Sequence, residues 1–397
     1  MKLTCNKQSA LSITRYIRST GMSGKGMRRV DIIGPDISPR KHWTKSLATL
    51  SAFGLDEQLD ANDILHIAVT DSALRPSTPH VHATKYSTNL GIPSKSFIEV
   101  FPGLAISSPE LLFLEMAEIL DLPQLIMLGH ELCGSFSRDH KDPLNGNVTL
   151  RVKALTTHAK LCDYARKVKY FRGSVTARRA LGLLADNAWS PTESLVATMA
   201  SLPFGEFGYE LGPCVLNERV HASEWLKEST SVDNRVPDYL IAGTSVGLNY
   251  DGTVHLDLNA IVDAAMALGR NPERASTETN LNRIVHEVRA KAVDDIRRNR
   301  ELAAAGYVVF PVVKEDLYEE GGLDRVMMQV IEALERYEGR DMSDHRRMMQ
   351  NKFLRAKRQE LIWSLLAGKH LKHVSNRKEA LPYLYGESKV NEVMVGF

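Results

Sequence analysis

The sequence predicts an α/β protein, with a mixed sheet flanked by helices over residues 150–338, an α+β domain ahead of it over residues 1–145, and a basic helical tail over residues 340–397. Three observations lead there. Short β-type runs broken by Pro and Gly fill Ile64 to Ser107, a second set of alternating apolar runs fills Arg235 to Leu258, and helix-start signals precede long apolar or charged stretches between them. At 397 residues, 43% of them hydrophobic, the chain has room for two or three domains of about 150 residues with packed cores.

Residues 1–60 carry a basic stretch from Gly21 to Arg29 and no sustained periodicity, so no function is assigned to them. Strands are expected at Leu65 to Val69, His80 to Ala83 and Phe97 to Val100. Ser108-Pro109-Glu110 then opens a helix through Leu111, Leu112, Leu114, Ile119 and Leu120, and a second helix carries Leu125, Leu128 and Leu132. His80 and His82, two apart on a strand, share a face, yet with no third ligand in view they read as structural. The loop Asp139 to Asn147 reads as a domain boundary.

Thr156 to Asp186 reads as largely helical and carries Arg166, Lys167, Lys169, Arg172, Arg178 and Arg179. Such residues form either a solvated face or a set of phosphate contacts, with Arg178 and Arg179 the candidates for the latter. In Ser190-Pro191-Thr192-Glu193, Ser caps, Pro takes the first helical position, and Glu193 is expected to satisfy the Ser190 amide as a capping box.

The most informative stretch is Arg235 to His255. Pro237-Asp238 begins one apolar run, and Asn249-Tyr250-Asp251-Gly252 ends the next. Taken singly, Asp251-Gly252 reads as the turn of a hairpin between Val246-Leu248-Tyr250 and Val254-Leu256-Leu258, and Asp238 as an ordinary strand margin. Taken together, two strands bearing acids at adjacent ends can hold a divalent cation against a phosphodiester, because Mg²⁺ takes one or two carboxylates alongside phosphate oxygens.

Leu281 to Ala305 is expected to be a helix of mixed charge, followed by a strand over Gly306 to Phe310. From Arg340 to Lys378 there are eleven Lys or Arg against three Asp or Glu, with Leu354, Leu361 and Leu365 at helical spacing. That tail suits either a polyanion or an oligomer contact.

The net charge of +2 argues against a globally basic nucleic-acid binder, so any DNA contact must come from local patches. Cys5, Cys133, Cys162 and Cys214 lie far apart, which suggests reduced thiols and neither a zinc site nor a disulfide framework. No run approaches the ~20 apolar residues of a membrane span and the N-terminus lacks a signal-peptide core, so a cytoplasmic location without a membrane partner is expected.

Leu150 to Glu338 resembles the small endonuclease-like proteins related to the very-short-patch-repair endonucleases, of the restriction-endonuclease-like fold. The likeness is carried by Ser190-Pro191-Thr192-Glu193, Arg235-Val236-Pro237-Asp238, Asn249-Tyr250-Asp251-Gly252 with His255, Asp295-Ile296-Arg297-Arg298, Leu302, and Gly306 to Phe310. The resemblance implies metal-dependent hydrolysis of DNA with Mg²⁺ or Mn²⁺. Asp238 and Asp251 would hold the metal, His255 would orient water or donate a proton, Glu193 would support from its helix, and Arg298 would lie beside the catalytic strands. Two departures stand out. Asn249 replaces the acid usual two positions before the Asp-Gly pair, and an insertion including Gly269 to Asn282 separates His255 from Asp295.

Leu65 to Phe136 has a looser likeness, in pattern only, to antitoxins of abortive-infection toxin-antitoxin systems. With Asn249 it supports the alternative of a catalytically weakened DNA-binding or regulatory protein of such a locus. DNA is the implied partner in both readings, and a homodimer is left open.

Overall fold

The computed structural model describes residues 2–22, 26–35, 64–76, 78–86, 90–168, 170–221, 234–251 and 275–366, with residues 53, 224 and 266. Contacts divide the described chain into two compact units, residues 2–199 with residues 364–366, and residues 200–363. It is a mixed α/β protein.

The first unit is built on β1 (Leu3–Cys5), α1 (Lys7–Ser19), β2 (Arg28–Val30), β3 (Leu65–Val69), β4 (Val81–Lys85), β5 (Phe97–Phe101) and β6 (Leu104–Ser107). These strands form one six-stranded sheet in the order β2-β5-β6-β1-β3-β4, with β1 parallel to β6 and antiparallel to β3. β1 lies inside the sheet, so all three of its residues are buried, and α1 covers the sheet with Ala10, Ile13 and Ile17. The expectation of no sustained periodicity in residues 1–60 is corrected by α1, whose Ala10, Ile13 and Ile17 recur at helical spacing on one buried face. A three-residue strand such as β1 is too short to display a periodicity.

Next come α2 (Pro109–Met116), α3 (Leu122–Cys133), the short strands β7 (Phe136–Ser137) and β8 (Thr149–Leu150), α4 (His158–Lys167), α5 (Ser174–Leu181) and α6 (Pro191–Ser201). Ser108 caps α2, its side chain accepting the Leu111 amide, and Asp121 and Gln124 form a capping box on α3. α2 and α3 are buried almost all round, as helices lodged between a sheet and further helices must be. The loop Asp139 to Asn147 falls inside this unit and the contact division falls at Met199. The reason is that the chain after the loop returns to the first core: Thr156 Oγ1 donates to Glu110 at 2.7 Å, the Tyr164 hydroxyl to Ser96 Oγ at 2.7 Å, and Leu161 is 2% exposed.

The second unit contains β9 (Cys214–Leu216), β10 (Val220–His221), β11 (Asn234–Arg235), β12 (Tyr239–Ile241), β13 (Val246–Asp251), α7 (Ala275–Ala304), β14 (Val308–Val313), α8 (Lys314–Tyr318), α9 (Gly322–Glu338), α10 (Ser343–Gln350) and α11 (Lys352–Leu365). Its main sheet runs β14-β13-β12-β9, with β9, β12 and β13 successively antiparallel and β14 parallel to β13. The parallel pair needs a long crossover, and the 30-residue α7 lies within it. Gly243, at φ +74°, makes the turn from β12 to β13. Gly247 is fixed by packing, since a Cβ there would lie 2.4 Å from the Tyr239 carbonyl.

Leu216, Tyr239, Ile241, Val246 and Leu248 are all 2% exposed or less, as are Leu323, Met327, Val330 and Leu334 of α9. Each such side chain contributes about 1.5–3 kcal/mol of transfer free energy. Leu302 of α7 packs on Val220 and Leu240, and the Ser245 amide and hydroxyl both donate to Glu338 Oε1 at 2.7 Å. Asp324 is the polar centre of this core. Arg358, 1% exposed, forks onto it at 2.9 and 3.1 Å, and the Tyr209 hydroxyl donates to it at 2.8 Å.

Candidate functional site

β12 and β13 run antiparallel, so the chain entering β12 and the chain leaving β13 meet at one end of the sheet. Asp238 stands immediately before β12. Asn249 and Asp251 lie two apart near the end of β13, so they share one face of the strand, and both are buried. With Tyr239 paired to Leu248, Asp238 falls opposite Asn249. Asp238, Asn249 and Asp251 are thus brought to one place from positions eleven to thirteen residues apart.

Two reciprocal hydrogen bonds fix the group. The Asp238 amide donates to Asn249 Oδ1 at 3.0 Å, and the Tyr250 amide donates to Asp238 Oδ2 at 2.6 Å. Asn217, just past β9, closes the third side by donating its amide to the Asp238 carbonyl at 3.2 Å. Asn217 holds φ +53°, a left-handed conformation that Asn tolerates better than most residues. Sequence reasoning passes it over, because a single Asn beyond a strand carries no signal of its own.

Asn249 is 1% exposed, and its Nδ2 has no hydrogen-bond partner. Its oxygen is already committed to the Asp238 amide. What Asn249 presents to the two acids is therefore a structural acceptor and a spare donor, where a carboxylate would present charge.

Asp251 is a strand residue in register with Val313 of β14. Gly252, His255 and the run Val254 to Leu258 lie outside the described residues. Among the described residues, no three His, Cys, Asp or Glu side chains gather as a metal-holding group. The donor set of the acid pair is compatible with Mg²⁺, which takes one or two protein carboxylates and fills its other positions with water and phosphate.

Glu193 belongs to the first unit. Its oxygens accept the Trp189 amide and the Ser190 hydroxyl, both at 3.0 Å, while Ser190 Oγ accepts the Glu193 amide at 3.2 Å. The cap is thus present, with the Trp189 amide in place of the expected Ser190 amide.

Arg298 on α7 is half-buried, 3.4 Å from Asp295, and its Nε is buried without an acceptor. Beside it, Arg235 ties β11 to α7 through Glu301 at 2.6 Å and Asp294 at 3.0 Å. Burial works against the Arg235 charge, yet these two carboxylates outweigh it and hold the guanidinium above its ordinary range. Arg178 and Arg179 lie on α5 in the first unit, where Arg178 bonds back to Ser174 of its own helix.

No protein-family model, curated protein or solved structure matches this chain. No helix among the described residues is long and apolar enough to cross a membrane. All four cysteines are free.

Proposed function

We propose that the chain carries a restriction-endonuclease-like domain that hydrolyses DNA phosphodiester bonds with Mg²⁺ or Mn²⁺. The observation that supports this most is the convergence of Asp238 and Asp251 at one end of a sheet whose order is three antiparallel strands, a crossover helix and a parallel fourth strand. The C-terminal ends of β13 and β14 lie side by side there, the kind of crevice in which α/β sheets bind ligands. The element order also follows the resemblance, with the Arg-rich helix α7 leading into the last strand.

In this reading Asp238 and Asp251 hold the metal, Arg298 contacts backbone phosphate, and His255 assists proton transfer. A bound Mg²⁺ would polarise the scissile phosphate and lower the pKa of a bound water. The protein's own share is geometric. The two cross-strand hydrogen bonds at Asp238 fix its carboxylate beside β13, so the charge is preorganised before DNA arrives.

One observation favours the second reading, a weakened nuclease retained for DNA binding in a defence or toxin-antitoxin locus. Asn249 supplies no charge and leaves an unpartnered donor in the cluster. Incubating supercoiled plasmid with the full chain and with Asp251→Asn, with and without Mg²⁺ or Mn²⁺, decides between them. Metal-dependent nicking by the wild type and not by the variant supports the nuclease. Binding without cleavage of any DNA form supports the regulator.

A further inference from the structure

In the first unit, a cavity of about 550 Å³ opens among α1, the end of α2, α3, the start of β3 and the loop that follows β7, with Ser364 and Leu365 of the same unit completing its lining. No Asp or Glu lines it. Its charged lining is Arg15, Arg138 and Lys141, with His66 and His140 beside them. The rest of the lining is largely apolar and includes Leu11, Met116, Leu128 and Leu144, with Met127 next to Arg138.

The cationic side is over-supplied with positive charge. A single buried carboxylate, Glu131, stands among three arginines and accepts hydrogen bonds from two of them. Arg15 forks onto it at 2.9 and 2.7 Å and so uses both of its oxygens, while Arg138 reaches it only through its backbone amide, at 3.0 Å. Arg18 turns away onto the carbonyls of Glu131, Gly134 and Lys153.

The Arg138 guanidinium is left with one weak contact, Nη2 to Met127 Sδ at 3.8 Å, and its Nε is buried with no acceptor. Arg138 is half-buried, and a guanidinium whose Nε is shut away from water with no ion pair of its own favours an anion that can join it. The surroundings agree. Burial, with Arg15 alongside, brings Arg138 down to about 10 despite Glu131, and burial, His82 and Lys7 hold His66 neutral at about 4. His66 Nδ1 is also buried without a partner.

We propose that this cavity binds a nucleoside phosphate, the phosphate on the Arg138 guanidinium and the base against the methionine-lined wall. The planar guanidinium matches phosphate bidentately, thioethers adapt to flat rings, and the volume falls in the usual range for small-ligand sites. The inference concerns the first unit and does not rest on the nuclease reading.

The test is calorimetric binding to the full chain at low salt of a nucleoside monophosphate, its parent nucleoside and inorganic phosphate. The monophosphate should bind at least roughly tenfold tighter than either fragment, since each lacks one half of the recognition. Arg138→Gln should weaken it roughly tenfold or more, the worth of one charge-assisted hydrogen bond. Leu144→Glu, at a more exposed wall position, puts a carboxylate into the acid-free lining and should do the same without disturbing the core. It carries the test should Arg138→Gln not fold. Asp238→Asn should leave this binding unchanged and so locate it away from the acid pair. Any of three results overturns the proposal: no binding of the monophosphate at millimolar concentration, nucleoside or phosphate binding as tightly as the whole, or wild-type affinity in the variants.

Discussion

Replacing Asp238 separates two jobs that the sequence joins in one residue. As a strand margin, Asp238 would be removable without affecting folding. In the structure its carboxylate accepts the Tyr250 amide at 2.6 Å, and this bond ties the chain entering β12 to β13. Hydrogen bonds to charged groups contribute about 1.5–3 kcal/mol net and neutral ones about 0.5–1.5 kcal/mol. Asp238→Ala should therefore lose about 1.5–3 kcal/mol, while Asp238→Asn, which keeps an oxygen to accept the same amide, should lose only about 1 kcal/mol. Neither variant offers the anionic ligand, so both should lose metal-dependent nicking equally. Urea unfolding at constant slope gives the stabilities, and supercoiled plasmid with Mg²⁺ gives the activity. Nicking by Asp238→Asn at the wild-type rate would remove Asp238 from the metal site. An Asp238→Ala protein as stable as wild type would show that the cross-strand bond contributes nothing.

Asn249→Glu restores the charge that the resemblance leads one to expect. It should tighten Mg²⁺ binding by calorimetry and speed plasmid nicking, at some cost in metal-free stability because the position is 1% exposed and beside two acids. Destabilisation with neither gain supports the regulator. Asp324→Ala should cost about 3–5 kcal/mol in urea unfolding, since it strands Arg358 as a buried, unpaired charge. A loss below about 1 kcal/mol would mean that water or Tyr209 compensates. His130 accepts the Ala185 amide at Nε2, which puts its proton on Nδ1 toward Ser194, and burial lowers it to about 3. The unfolded state then takes up a proton near 6.5 that the folded state refuses, so His130 removes about 2 kcal/mol of stability between pH 8 and pH 5. Glu115, raised by burial to about 7, acts in the opposite direction and adds stability as pH falls from 7 towards 4.5. His66, held near 4, acts in the same direction as His130, so His130→Gln should raise the stability at pH 5 relative to pH 8 by about 2 kcal/mol over the wild-type difference. A profile parallel to wild type at pH 8, 6.5 and 5 would refute the assignment.

The sequence by itself determined the elements whose information is local. The strand Leu65–Val69 has the bounds its apolar run predicts, and the caps at Ser108 and Ser190 start the helices they announce. The mixed-charge helix is present as Ala275–Ala304, starting six residues before the expected Leu281, and the strand after it as Val308–Val313, shifted towards the C-terminus from the expected Gly306 to Phe310. Propensity, capping and periodicity are properties of neighbouring residues, so they can be read in order. Only the tertiary structure decided what depends on distant partners. β1 exists because Leu3 to Cys5 pair with Leu104 to Ile106 on one side and with Ile67 on the other. Asp251 is a ladder residue because β14, some sixty residues later, lies parallel beside it. Asn249, legible only as a missing acid, is a buried acceptor for the Asp238 amide. Arg138 is a cation without a counter-ion because Arg15, far away in sequence, already occupies the one carboxylate that both approach. Such competition for a shared partner is set by three-dimensional packing, and no window of sequence contains both competitors.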